Sequence, residues 1–171
     1  MQRSTSRQPP LYSPAERVRR DESKWALVQG VLAPIQFLVF LISAALVIRF
    51  LVSGEGLVLA TGSVVVKTFL LYLIMITGCI WEKEVYGVYL FAHAFFWEDV
   101  FSMLVLALHA AYVFVLITDA IPARSQMWLA LTAYAAYVIN ATQFLLKLRR
   151  ARLQSAADDA ATMQSSEGLA A

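Results

Sequence analysis

The chain has 171 residues, 60% of them hydrophobic and only 15% charged, with a formal net charge of +2. A soluble domain carries roughly 45–50% apolar residues, and a single core of this length could not hide the surplus, which falls into long runs. The basic residues gather at the two ends, a pattern that excludes a nucleic-acid footprint and suits anionic lipid headgroups.

Residues 1–24 are polar and rich in Pro and Arg, and read as an N-terminal cytoplasmic tail, disordered to about Ser13. The first apolar run, about Trp25–Ile48, is 24 residues long. A signal-peptide core is about 7–15 residues and precedes a small-residue cleavage pattern, so this run reads as a retained span. Ser53-Gly54-Glu55-Gly56 is a tight turn into a second span, about Leu57–Trp81, interrupted only by Lys67. A third span covers about Glu98–Thr118, and Asp119 to Gln126, with Pro122, forms the next loop. The fourth span, about Met127–Leu146, closes on Lys147, Arg149, Arg150 and Arg152. Each run reaches the roughly 20 residues needed to cross about 30 Å of hydrocarbon. Residues 25–153 thus read as a four-helix transmembrane domain and 154–171 as a flexible tail.

The segment Val85–Trp97 is apolar or aromatic at all but Gly87 and His93, yet too short to span. It reads as an interfacial or re-entrant element whose aromatic residues offer a flat ligand a way in from the lipid. The fold class expected is therefore all-α, an integral membrane four-helix bundle with this element between its second and third spans. Orientation follows from Lys and Arg placement. With the N-terminus inside, Arg3, Arg7, Arg17, Arg19, Arg20, Lys24, Lys83, Lys147, Arg149, Arg150 and Arg152 lie inside, and Arg49 and Arg124 outside. Both termini are thereby placed in the cytoplasm.

Ionisable groups at membrane depth are costly and mark function by default. On the third span Glu98, Ser102, Val105 and His109 share one helical face, whereas Asp99 points about 100° away. On the second span Lys67, Leu71, Ile74, Gly78 and Glu82 share a face. If those faces meet, Glu82 lies near Glu98 at the inner end, with Lys67 deeper. Two carboxyls at one desolvated mouth resist ionising together, so one can serve as a neutral acid while the other activates water. The plainer reading is that Glu82, Lys83, Glu84, Glu98 and Asp99 anchor helix ends, with Trp81 and Trp97 as an aromatic belt.

His109 falls near mid-membrane, where it either relays protons, binds a metal or macrocycle ion, or satisfies a backbone carbonyl. His93 lies 16 residues earlier, about 24 Å along a continuous helix, too far for both to hold one metal. Gln29 and Gln36 share a face of the first span, beside Pro34, which leaves the Gly30 carbonyl without its helical partner. Asn140 and Gln143 share a face of the fourth with Lys147. Interhelical hydrogen bonds account for these four amides. Tyr134 and Tyr137 read as packing, and Cys79 as a small buried hydrophobe without a disulfide partner. The chain has no phosphate-binding glycine loop, HExxH motif or nucleophile elbow.

Four strings carry the most specific information: Val28-Gln29-Gly30-Val31-Leu32-Ala33-Pro34, Ile80-Trp81-Glu82-Lys83-Glu84-Val85, Phe95-Phe96-Trp97-Glu98-Asp99-Val100-Phe101-Ser102 and Tyr137-Val138-Ile139-Asn140-Ala141. Over about residues 12–153 they resemble the 2-vinyl bacteriochlorophyllide hydratases of phototrophic bacteria. That resemblance implies a lyase of bacteriochlorophyll synthesis in the bacterial inner, photosynthetic membrane. It would add water to the C3 vinyl group of chlorophyllide a or its bacteriochlorin counterpart. No cofactor is implied beyond the magnesium the pigment carries, and no metal site of the protein's own. The partners expected are the macrocycle, the bilayer, and a second copy or other pigment-synthesis enzymes.

On this reading Glu98 is the first candidate for the proton donor. Glu82, or failing that Asp99, orients the water. His109 relays protons or binds the pigment magnesium, and Ser102, Trp97, Phe96, Asn140 and Gln36 contact substrate. Two rivals stand beside it. A pigment-binding or assembly subunit would hold the ring through His109 without turnover. A proton-coupled carrier would use Lys67, Glu98 and His109, although no inverted repeat supports one.

Overall fold

The computed structural model describes residues 11–170, with side chains described through Leu153 and at Ala156. It contains α1 (Pro14–Glu22), α2 (Lys24–Ser53), α3 (Leu57–Tyr86), α4 (Phe96–Thr118) and α5 (Ala123–Ala170), and no strand among the described residues. Four of these, Lys24–Ser53, Leu57–Tyr86, Phe96–Thr118 and Ala123–Leu153, are long and apolar enough to cross a membrane. The chain is an all-helical, multi-pass membrane protein.

The tail before the first span is partly structured. Ser13-Pro14-Ala15-Glu16 forms a capping box, in which the Ser13 hydroxyl accepts from the Glu16 N–H and the Glu16 carboxylate accepts from the Ser13 N–H. Proline at the first helical position adds a preset φ. These bonds to the Ser13 backbone and side chain hold the Glu16 carboxyl below the usual carboxylate range. A depressed value means the box supports α1 at neutral pH and is lost as pH falls through that titration. Amide-exchange protection of Arg17–Arg20, corrected for intrinsic rates, is expected to collapse on that acid limb. Ser13→Ala should weaken α1 by about 1 kcal/mol at neutral pH. Residues 1–10 of the tail read as disordered lie outside the described residues.

α2 runs through Pro34 without a break and ends at Gly54, whose φ of 76° closes the helix. α3 continues five residues past the predicted Trp81, so Glu82 lies inside the helix. It stops at Gly87 because φ there is 83°, a region costly to any residue with a Cβ. α5 likewise overruns its predicted end at Leu146 and reaches Ala170. The Ala-rich stretch after Arg152 favours helix on propensity alone.

Packing divides the spans into two helical hairpins. α2 packs chiefly on α3 and α4 chiefly on α5, while contact between the hairpins is sparser. At one end an apolar core, with Val47, Leu51, Ala60, Val64, Val105, Tyr112, Met127 and Ala130, joins all four helices. Leu38, Ile42, Phe69, Phe114, Ile117 and Leu145 point outward, as a lipid-facing belt requires. Polar ties cross the seam. Ser43 Oγ lies 2.6 Å from the Tyr134 hydroxyl and 2.7 Å from Ser63 Oγ. Tyr134→Phe should cost about 1 kcal/mol in a thermal melt of the purified protein.

Candidate functional site

Both hairpins place carboxyl groups at the end of the bundle where α3 finishes and α4 begins. Glu82, Glu98 and Asp99 are all buried there. Asp99 faces α3, where its carboxyl lies close enough to that of Glu82 for the two groups to act on each other. Glu98 instead faces α5, where Lys147 Nζ lies 2.6 Å from its Oε2. The expected meeting of Glu82 with Glu98 is thus replaced by Glu82 with Asp99. Successive residues on a helix differ by about 100°, and α4 lies between α3 and α5, so each carboxyl has a different neighbour.

The connection 87–95 holds the pair from below. Asp99 Oδ2 accepts the Phe91 N–H at 2.7 Å and Glu82 Oε2 accepts the Ala92 N–H at 3.4 Å. Phe91 adopts φ 59°, a left-handed conformation that costs a bulky residue about 1–3 kcal/mol. Each carboxyl therefore has one oxygen fixed by backbone while the two groups face each other. Two carboxyls that face each other at a desolvated site resist ionising together and can share a proton, the arrangement general acid chemistry needs.

Aromatic rings wall this end. Lys147 Nζ sits 4.9 Å from the centre of the Phe95 ring, which stacks on Phe144 and meets Trp81 edge-on. Tyr86 joins the same cluster and stacks on Tyr12, so the segment leading into α1 covers its outer side. Arg19 donates to the Val85 carbonyl at 2.8 Å and Ser23 bonds Glu84, tying α1 and the start of α2 to α3. Phe96 and Trp97 do not join the carboxyls; both are exposed, and Phe96 packs on Trp97 and on Phe91. His93 is exposed as well.

One turn further in, Asn140 Nδ2 donates to Ser102 Oγ at 2.8 Å, leaving Asn140 Oδ1 buried without a partner. His109 is ten residues beyond Asp99, about 15 Å along α4. Its Nδ1 lies 2.8 Å from the Val105 carbonyl. A carbonyl only accepts, so Nδ1 carries the proton and a neutral ring keeps a bare lone pair at Nε2. That Nε2 is buried and unpartnered. Gln36 is buried on α2 with its Oε1 likewise unpartnered. The predicted residues therefore fall into an end layer of carboxyls and a deeper layer holding Gln36 and His109, with Ser102 and Asn140 between. Among the described residues no group of three or more His, Cys, Asp and Glu side chains could hold a metal ion.

The family model for 2-vinyl bacteriochlorophyllide hydratase matches residues 12–150. The chain belongs to the 2-vinyl bacteriochlorophyllide hydratase family. A relative of that name from Rhodobacter capsulatus is 60% identical over 158 residues, 92% of each chain. Another of that name from Cereibacter sphaeroides is 62% identical over 143 residues, 84% of this chain and 89% of its own. No solved structure matches. Both layers of this family member's site lie inside the matched region.

Sequence reasoning on this hydratase-family chain missed the partners more than the residues. Lys147 reads in sequence as a helix-end cation, and its reach to Glu98 depends on how α5 packs. The Phe91 and Ala92 amides carry no sequence signal at all, since any residue supplies an N–H.

Proposed function

We propose that this protein hydrates the C3 vinyl group of chlorophyllide a or 3-vinyl bacteriochlorophyllide a, giving the 3-(1-hydroxyethyl) product. The observation that carries this reading is the Glu82–Asp99 carboxyl pair, buried at the seam of a chain of this family. Its proton passes to the terminal vinyl carbon as the C=C electrons form the new C–H bond. The ring-attached carbon becomes cationic and spreads its charge into the macrocycle. Water adds there, and its surplus proton returns to the pair, so the sum is one water added with no change in electron count. Only charge that develops in the transition state is worth stabilising in this way.

Glu98, the first candidate from sequence, is ion-paired with Lys147. That favours Glu82 and Asp99 as the acid, with Glu98 orienting Lys147 and the attacking water. Ser102 and Asn140 line the approach, and the His109 Nε2 lone pair suits the pigment magnesium. The exposed Phe96 and Trp97 sit at the lipid boundary, where a flat pigment enters. The excess of Lys and Arg on that side supports a reading in which the carboxyl end and both termini face the cytoplasm of a bacterial inner membrane. The reaction is redox-neutral and calls for no cofactor of its own.

Membranes containing the protein, incubated with chlorophyllide a, should yield over many turnovers a blue-shifted product heavier by one water. Stoichiometric pigment retention without a mass change would replace this reading with that of a binding subunit.

A further inference from the structure

Lys67 lies in the deeper layer, fully buried on α3, 15 residues before Glu82. That is about 22 Å along the helix, before either side chain reaches out. Its Nζ sits 3.8 Å from the centre of the Tyr137 ring on α5. Among the described residues, no oxygen lies within hydrogen-bonding distance of that amine. Tyr137 packs on Phe40, Phe40 on Tyr134, and Tyr134 on the His109 ring, so one aromatic surface links Lys67 to His109. Every residue of this surface lies on the seam between the two hairpins.

A lysine needs three acceptors or water, and at membrane depth unsatisfied polar groups are among the most expensive a fold can hold. An aromatic face offsets part of that cost, but it accepts no directed hydrogen bond. Elsewhere inside the bundle, Gln36 Oε1 on α2 and His109 Nε2 on α4 are buried and unpartnered too. These unpartnered polar groups, buried inside the bundle on three helices, are what a ligand inserted at the sparser interface would satisfy.

We infer that Lys67 is a substrate-anchoring residue, donating to an acceptor oxygen, a ring carbonyl or side-chain carboxylate, on the macrocycle edge remote from the vinyl group. This rests on the hydratase reading and adds to it. The carboxyl pair holds the reacting edge, Lys67 the far edge, and Tyr137 lies flat under the ammonium. The separation of the layers then acts as a ruler that decides which end of the pigment meets the acid.

The test compares wild-type protein with Lys67→Met and Lys67→Arg, by pigment Kd from absorption titration and by steady-state KM and kcat. Three pigments are used: unmodified, with the ring ketone reduced to an alcohol, and with the carboxylate esterified. Loss of a charged hydrogen bond predicts Kd and KM raised about 10- to 100-fold in Lys67→Met, with kcat held and partial recovery in Lys67→Arg. One modified pigment should lose the same factor on wild-type protein and lose nothing further on Lys67→Met, and that one names the oxygen. Kd and KM within twofold of wild type in Lys67→Met, or additive losses with both modified pigments, would overturn the assignment. If Lys67→Met does not fold, wild-type protein binding all three pigments equally would overturn it as well. Failure of wild-type turnover would sink the hydratase reading alone, because Kd still reports on Lys67.

Discussion

Asp99→Asn should reduce vinyl hydration by about 10²–10⁴-fold, the range expected when a positioned proton donor is removed. The substitution is nearly isosteric, and its side-chain oxygen can still accept the Phe91 N–H that anchors Asp99 at 2.7 Å. The fold should therefore survive while the proton held against Glu82 is lost. Because the two carboxyls act as one unit, combining Glu82→Gln with Asp99→Asn should add less than about tenfold to the worse single loss. Initial rates at saturating pigment, normalised to folded protein, check both statements. Full multiplication of the two losses would mean that the carboxyls work independently.

Lys147→Met should cost about 2 kcal/mol of stability. Breaking a fully buried pair costs roughly 3–5 kcal/mol, and here the Lys147 side chain retains 25% exposure and that of Glu98 11%, so the penalty is discounted. The loss arises because a carboxylate remains in a site built for an ion pair. Lys147 also covers the Phe95 ring, itself buried between Trp81 and Phe144. Adding Glu98→Gln to Lys147→Met should restore at least half of the lost stability, since a neutral amide leaves no charge behind. Thermal melts of the wild type, both single variants and the double variant measure this cycle. A double variant less stable than Lys147→Met would show that Glu98 contributes by another route.

Much of this architecture is legible in the sequence because the bilayer imposes so simple a rule. Apolar runs long enough to span must be helices, and the four runs become α2 to α5. Burial of Glu82, Glu98, Ser102, His109, Gln36 and Asn140 also follows the helical spacing, whereas that of Asp99, about 100° from Glu98, does not. What the spacing could not give was partnership. A face is a direction, and whether Glu98 looks at Glu82 or at Lys147 depends on how the hairpins rotate against each other. α1 illustrates a different miss: Ser13-Pro14-Ala15-Glu16 is a readable capping box, overshadowed by the polar composition around it. The length of α5 shows the reverse, since local helix propensity carries the chain on after the apolar run has ended.

The most direct test of the account compares Glu82→Gln with Glu98→Gln on one pigment, in membranes matched for folded protein. If the Glu82–Asp99 pair is the acid and Glu98 serves Lys147, Glu82→Gln loses at least about 10²-fold in rate while Glu98→Gln stays within about tenfold of wild type. The reverse order, with Glu98→Gln inactive and Glu82→Gln near wild type, would contradict it and return the proton to Glu98.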